Sequence, residues 1–114
     1  MNEQFHQEEV LNLFKEIDST PESTQRSLSR KLNISLGKTN YMLKSLIKRG
    51  LISIKNFSTK DGKLYKVKYF LTKEGLDARL LLTRHFLERK ELEYNRLRKE
   101  YEDMQIKELN KKSI

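Results

Sequence analysis

The sequence has no cysteine, only one proline and no long apolar segment. Without cysteine the chain can form no disulfide, no thiolate zinc site and no cysteine nucleophile. The absence of disulfides fits a protein of the reducing cytoplasm. It has no run of about 18 apolar residues, the length that predicts a membrane-spanning helix. The first ten residues, MNEQFHQEEV, are polar and acidic, unlike a secretory signal. We therefore expect a small cytoplasmic protein, one domain with an appended element.

Residues suited to catalysis are also sparse. The two histidines, His6 and His85, lie in separate predicted helices, and neither accompanies a Ser/His/Asp arrangement or paired metal ligands. The segment 37–39, Gly-Lys-Thr, resembles the end of a nucleotide-binding loop, but such a loop needs a glycine at the position of Leu32. The segment before it is also a predicted helix rather than a buried strand. We therefore predict no enzyme, no cofactor and no metal.

The sequence is rich in positive charge, and that charge is concentrated in its middle. The 114 residues include 24 Lys and Arg against 16 Asp and Glu, a formal net charge of +8. Residues 1–21 carry one base against five acids, residues 22–71 twelve against two, and residues 72–114 eleven against nine. A basic segment between an acidic one and a balanced one is typical of a surface that binds a polyanion.

The first segment with helical periodicity covers about residues 3–18. Val10, Phe14 and Ile17 recur at three- and four-residue steps and form one apolar stripe. Pro21 lies in the turn that follows, because proline cannot continue a helix. The chain therefore begins with one amphipathic helix.

A helix-turn-helix is predicted next. Ser23 or Thr24 caps a short helix. After a left-handed turn at Asn33, Ser35 caps a second helix that ends at Gly50. The inward-facing residues of the two helices are Leu28, Leu32, Thr39, Met42, Leu43, Leu46 and Ile47. Two helices joined by a turn of about four residues form a helix-turn-helix.

After this point the apolar period changes from that of a helix to that of a strand. The segments 51–57 (LISIKNF) and 64–72 (LYKVKYFLT) are rich in β-branched and aromatic residues. Asp61-Gly62 between them is a strong hairpin signal. A helix-turn-helix followed by a hairpin with a basic tip is the winged helix arrangement.

The remaining sequence predicts one long helix, capped by Thr72 and free of proline. Apolar residues recur along it at alternating steps of four and three, as in the seam of a coiled coil. The predicted dimerisation residues are Leu76, Leu80, Leu87, Tyr94, Leu97, Tyr101 and Met104. We therefore predict a mainly α fold with a small β-hairpin. Residues 1–71 form a winged helix-turn-helix, and residues 72–114 form a long dimerising coiled-coil helix.

The exposed side of the second helix of the helix-turn-helix carries the predicted base contacts, because such a helix fits the major groove. Asn40 can bind adenine twice, Lys38 can reach the acceptors of guanine, and Gly37 lets the backbone approach closely. The other predicted contacts are Thr24, Gln25, Ser35, Tyr41, Lys44 and Lys48, with Lys60, Lys63, Lys66 and Lys68 in the wing. An ordinary surface role is the alternative for each, since lysines also protect edge strands.

Parts of the sequence resemble one family of regulators. TQRSLSRKLNISLGKTNYMLKSLIKRGLI resembles the helix-turn-helix of MarR-type regulators. With KNF at 55–57, YFLTKEGL at 69–76 and LTRHFLERKELEY at 82–94, the chain resembles the branch called EPS-associated MarR-family transcriptional regulators over about residues 22–105. The resemblance implies a cytoplasmic bacterial regulator connected with exopolysaccharide loci.

Two functions of different classes agree with the sequence. The leading one is a sequence-specific regulator that binds double-stranded DNA as a homodimer at an inverted repeat. The alternative is a winged helix protein-interaction module that recruits a partner through its coiled coil. A DNA-binding regulator should bind duplex DNA with an affinity that falls steeply with salt, whereas a protein-interaction module should not bind duplex DNA even at low salt. The sequence identifies no small-molecule effector.

Overall fold

The computed structural model describes the backbone of residues 6–58 and 65–112, and the side chains of residues 6–55 and 67–112. The described elements are α1 (Gln7–Ser19), α2 (Gln25–Leu32), α3 (Leu36–Lys48), β1 (Ile52–Ser58), β2 (Tyr65–Leu71) and α4 (Lys73–Lys112). The predicted mainly α fold with a β-hairpin and a long last helix is confirmed.

Helix α1 packs through one apolar face. Leu13, Phe14 and Ile17 on this face are fully buried. The helix ends at Ser19, and the chain then turns through Pro21, as predicted. The predicted helix start near residue 3 lies outside the described residues.

The starts of α2 and α3 are fixed by side-chain caps. The hydroxyl oxygen of Thr24 accepts the Ser27 backbone N–H at 3.0 Å, and the Thr24 N–H donates to the Ser27 hydroxyl at 2.9 Å. Of the two predicted caps for α2, Thr24 is therefore the one used. Ser35 caps α3 by accepting the Lys38 N–H at 3.0 Å. Between the two helices Asn33 adopts the predicted left-handed conformation, with φ 55° and ψ 45°.

The core unites the helix-turn-helix, α1 and the base of the hairpin. Its buried residues are Leu13, Phe14, Ile17, Leu28, Met42, Leu43, Leu46, Ile52 and Tyr69. Burying one large apolar side chain stabilises a fold by roughly 1.5–3 kcal/mol. This cluster is therefore the principal source of stability in this part of the chain, and it sets which side of each helix faces outwards.

The two strands form an antiparallel hairpin whose register pairs Ile52 with Leu71 and Ser58 with Tyr65. Ile52 and Tyr69 are buried, whereas Val67 and Ile54, which is paired with Tyr69, are exposed. The predicted hairpin is confirmed, and its predicted turn at residues 61–62 lies outside the described residues. The wing is thus anchored at its base.

A tight junction joins the hairpin to α4. Gly50 has a φ of +77°, which ends α3 and turns the chain into β1. At the other end of the hairpin, Thr72 donates its hydroxyl to the Gly50 carbonyl at 2.6 Å and accepts the Gly75 N–H at 3.0 Å. The Thr72 N–H donates to the Leu51 carbonyl at 3.1 Å. The predicted cap at Thr72 is confirmed, and it also fastens α4 to the end of α3.

Helix α4 contains 40 residues, and the chain divides into two compact units, one ending at Leu82 and one beginning at Thr83. In the first unit Ala78 and Leu82 pack against the core, and Arg79 forms an ion pair with Asp18 at 2.7 Å. Leu81, which directly precedes Leu82, is 68% exposed. Helix α4 contacts the core on the side that carries Ala78 and Leu82, and Leu81 points about 100° away from Leu82.

In the second unit, α4 has exposed apolar side chains along its whole length. The predicted seam residues in this unit, Leu87, Tyr94, Leu97, Tyr101 and Met104, are all more than half exposed. Ion pairs such as Arg84–Glu88 support the helix. No helix in the described part of the chain combines the length and apolar character needed to cross a membrane.

The close contact at the start of α4 predicts that Gly75→Ala destabilises the fold. A Cβ atom at Gly75 would lie 2.0 Å from the Leu51 carbonyl oxygen, so the backbone must shift. We expect the free energy of unfolding in urea to fall by about 1–3 kcal/mol. Gly37→Ala is the matched control, because a Cβ there meets nothing within 4 Å. It should stabilise α3 by up to about 1 kcal/mol. Equal stability of the Gly75→Ala variant and the parent would contradict this packing.

Candidate nucleic-acid interface

The outward side of α3 is polar, basic and free of acidic residues. Gly37, Tyr41, Lys44 and Lys48 are exposed, while the opposite side of the helix is buried in the core. These four predicted contacts therefore share one accessible face. Such a face presents hydrogen-bond donors and positive charge to a polyanion.

Lys38 lies in the first turn of the same helix, but its ammonium is held by α1. The nitrogen lies 2.7 Å and 2.9 Å from the two carboxylate oxygens of Glu9. The Lys38 side chain is 39% exposed and that of Glu9 22%. The hydrogen bond from Lys38 lowers the pKa of the Glu9 carboxyl below its ordinary 4.5, although partial burial opposes this shift. To reach a base, Lys38 must leave this ion pair.

Asn40 is also held by a neighbour. Gln25 donates its side-chain N–H groups to the side-chain oxygen Oδ1 of Asn40 at 3.2 Å and to the Tyr69 hydroxyl at 3.5 Å. Tyr69 is buried, so the network joins α2 and α3 to β2. The Asn40 oxygen has a second lone pair and its nitrogen has two hydrogens. The side chain can therefore bind a base while it keeps its contact with Gln25.

Two of the predicted DNA contacts, Thr24 and Ser35, cap the starts of α2 and α3. The hydroxyls of Thr24 and Ser35 each accept a backbone N–H, but each retains a proton that it can donate. Unpaired N–H groups of the first helical turn lie next to such caps and attract anions. Arg26, exposed in the first turn of α2, was not predicted. Its position beside Gln25 at a helix start is the sequence signal that indicates a phosphate contact.

The wing is described in part. The predicted contacts Lys60 and Lys63 lie outside the described residues, as does the side chain of Lys66. On the described strands Lys55 and Lys68 are directly paired in register. Lys55 lies 5.4 Å from the ring centroid of Phe70, and Lys68 lies 3.1 Å from the Glu22 carboxylate. The hairpin therefore carries a second cluster of cations beside the start of α2.

A cavity of about 520 Å³ lies between the start of α2 and β2. It is lined by Glu22, Ser23, Thr24, Gln25, Val67, Lys68 and Tyr69. The Ser23 hydroxyl is buried and has no hydrogen-bond partner within the described residues. No group of three His, Cys, Asp or Glu side chains there could hold a metal ion. The cavity therefore lies beside two of the predicted DNA contacts, Thr24 and Gln25.

Comparison with known proteins agrees with this geometry. Residues 10–53 match the family of winged helix-turn-helix DNA-binding domains. Staphylococcus aureus MarR in complex with salicylate and kanamycin is similar in structure, with 19% identity and a TM-score of 0.58. That similarity covers 75% of this chain and 54% of MarR. No curated protein sequence matches the chain.

Two further solved structures have the same fold. A variant of S. aureus MepR bound to an oligodeoxyribonucleotide has 16% identity and a TM-score of 0.55, over 74% of this chain and 60% of MepR. The adhesin competence repressor AdcR of Streptococcus pyogenes has 25% identity and a TM-score of 0.57, over 83% of this chain and 66% of AdcR. This chain thus spans less than two thirds of each protein. It has the fold of MarR-like winged helix DNA-binding transcriptional regulators.

The Glu9–Lys38 ion pair predicts a contribution to stability that disappears in acid. Because the pKa of Glu9 is lowered in the folded state, the pair stabilises the fold fully above pH 4.5 and ceases to do so as the pH falls through the lowered value. Urea unfolding of the parent and of Glu9→Gln should differ near neutrality, by at most about 1 kcal/mol because both side chains contact solvent. The two proteins should converge in strong acid.

Glu8→Gln is the control for this experiment, because Glu8 is exposed and forms no ion pair within the described residues. A difference between Glu9→Gln and the parent that does not change with pH would contradict the role of the ion pair.

Proposed function

We propose that the chain is a MarR-like transcriptional regulator that binds double-stranded DNA sequence-specifically, as a homodimer at an inverted-repeat operator. The observation that carries the proposal is the outward face of α3, which is basic and contains no acid. A winged helix fold presents this helix to the major groove. The likeness to a MepR variant bound to an oligodeoxyribonucleotide supports the same role. The chain acts by binding and catalyses no reaction.

Each part of the surface has a distinct role in the proposed complex. Gly37, Lys38 and Asn40, in the first turns of α3, contact base edges. Lys44 and Lys48, further along the helix, neutralise phosphates. The remaining phosphate and methyl contacts come from Thr24, Gln25, Ser35, Tyr41, Lys60, Lys63 and Lys66. In this proposal residues 1–71 bind DNA and residues 72–114 form the dimer.

Dimerisation is proposed because α4 exposes a regular apolar seam. Its members in the second unit are large side chains that remain in contact with water in a single chain. Each leucine buried on pairing contributes roughly 1.5–3 kcal/mol. Lys90 lies within the seam and restricts the register of two helices. A twofold pair presents two copies of α3 to half-sites about one or two helical turns apart.

The target and the location of the proposed regulator follow from its sequence. The resemblance to EPS-associated regulators makes exopolysaccharide genes the proposed targets. A regulator of bacterial genes works in the cytoplasm, where the DNA is. The absence of cysteine agrees with that compartment.

Selection of bound duplexes from a random library tests the proposal, and the enriched site should be an inverted repeat. On this site Asn40→Ala should cost about 1–3 kcal/mol and relax preference at one base step per half-site. Lys48→Ala should weaken binding to all duplexes similarly and reduce the salt slope by about one. Fluorescence anisotropy with matched and mismatched duplexes measures both effects.

The reverse pattern, with Lys48 setting preference and Asn40 acting uniformly, would mean that α3 is not the base-reading helix. If no duplex binds at low salt, the DNA-binding proposal is wrong. The exposed seam of α4 then favours the alternative, a winged helix module that recruits a protein partner.

The seam also predicts the effect of two matched substitutions on assembly. Leu92 and Leu97 are each 66% exposed on the same helix, but only Leu97 lies on the seam. Leu97→Glu should therefore convert a dimer to a monomer in sedimentation at tens of micromolar, because it buries charge between the helices. Leu92→Glu should remain dimeric. A monomeric parent, or equal effects of the two changes, would contradict this interface.

A further inference from the structure

The ion pair between Glu9 and Lys38 connects α1 to the proposed base-reading helix. Both carboxylate oxygens lie within 2.9 Å of the single ammonium group. Lys44 and Lys48, the other lysines of α3, are exposed and form no ion pair within the described residues. One of the three positive charges on this helix is therefore neutralised in the free protein, and it is the one nearest the helix start.

DNA must compete with Glu9 for the Lys38 ammonium. If Lys38 exchanges the Glu9 carboxylate for a single DNA phosphate, one anionic partner replaces another. This exchange alone therefore adds little to the free energy of binding. The exchange also leaves the Glu9 carboxylate unpaired beside the negatively charged DNA backbone, and the repulsion between these like charges is unfavourable. A guanine edge differs because it offers two acceptors, N7 and O6, to one lysine. The exchange is therefore favourable at some base sequences and unfavourable elsewhere.

We propose that Glu9 is a specificity-determining residue of the DNA-binding surface. It keeps Lys38 from contacting DNA indiscriminately and releases it only at sites whose bases offer strong acceptors. Specificity then arises partly from a penalty at wrong sites, as in other interfaces that discriminate between partners. The inference rests on the proposed DNA-binding function and assigns to α1 a role beyond packing.

Glu9→Gln tests the inference because it releases Lys38 at every duplex. Affinity for a scrambled duplex should rise about fivefold to tenfold, the value of one added hydrogen-bonded contact. The salt slope on that duplex should steepen by about 0.9, corresponding to one more neutralised phosphate. Affinity for the selected site should rise less, so the ratio of specific to nonspecific affinity should fall.

The experiment compares five full-length proteins by fluorescence anisotropy on the selected and the scrambled duplex, across a series of salt concentrations. They are the parent, Glu9→Gln, Glu8→Gln, Lys38→Met and the double variant Glu9→Gln/Lys38→Met. Glu8→Gln removes the same charge from the same helix without breaking an ion pair, so it measures the effect of net charge alone. Thermal unfolding confirms that each variant is folded.

The inference is supported if Glu9→Gln lowers the specificity ratio and steepens the salt slope beyond Glu8→Gln, and if both effects vanish in the Lys38→Met background. It is overturned if Glu9→Gln matches Glu8→Gln, if it strengthens both duplexes equally, or if its effect survives in the double variant. A parent protein that binds no duplex refutes the proposed function itself. That result is distinct from a binding parent whose Glu9→Gln variant behaves like the control.

Discussion

The apolar core shared by α1, α2, α3 and the hairpin determines which residues of the first unit are accessible to a binding partner. Met42, Leu43 and Leu46 are buried in it, so α3 cannot rotate about its axis without exposing them. Its opposite side is therefore presented in one orientation. The left-handed turn at Asn33 and the tight exit at Gly50 fix where the helix begins and ends. The proposed recognition of DNA by α3 depends on this fixed orientation.

The surface of α3 is also organised by its neighbours. Two residues near the start of α3 are restrained by side chains of other helices. Glu9 of α1 forms an ion pair with Lys38, and Gln25 of α2 donates a hydrogen bond to Asn40. Restrained side chains lose less conformational entropy when they bind, which favours precise contacts over adaptable ones. By contrast Lys44 and Lys48 extend into solvent, as phosphate contacts require only charge. The start of the helix thus carries restrained side chains suited to contacts with bases, and its later turns carry exposed lysines suited to electrostatic attraction of phosphates.

Much of the fold could be predicted because its determinants are local. The caps at Thr24, Ser35 and Thr72, and the conformation of Asn33, follow from the preferences of single residues within one turn of chain. The boundaries of the helix-turn-helix and the hairpin follow from a change of apolar period. These signals need no knowledge of tertiary structure.

What the sequence could not predict depends on contacts between distant residues. Glu9 and Lys38 are 29 positions apart, and Gln25 and Asn40 are 15 apart. No periodicity links such residues, because their meeting depends on how the helices pack. For the same reason Lys38 and Asn40 were predicted as simple outward contacts and not as members of networks. The sequence also could not show that Leu82 rather than Leu81 packs on the core, because an apolar run does not reveal which of two adjacent leucines faces inwards.

Amide chemical-shift mapping of the 15N-labelled protein, titrated with its selected duplex, tests the central claim most directly. The account predicts that the largest changes fall in the first turn of α2 and on the outward face of α3, at Gly37, Tyr41 and Lys44. Changes confined to the second unit, from Thr83 onwards, or no saturable change at low salt, would contradict it.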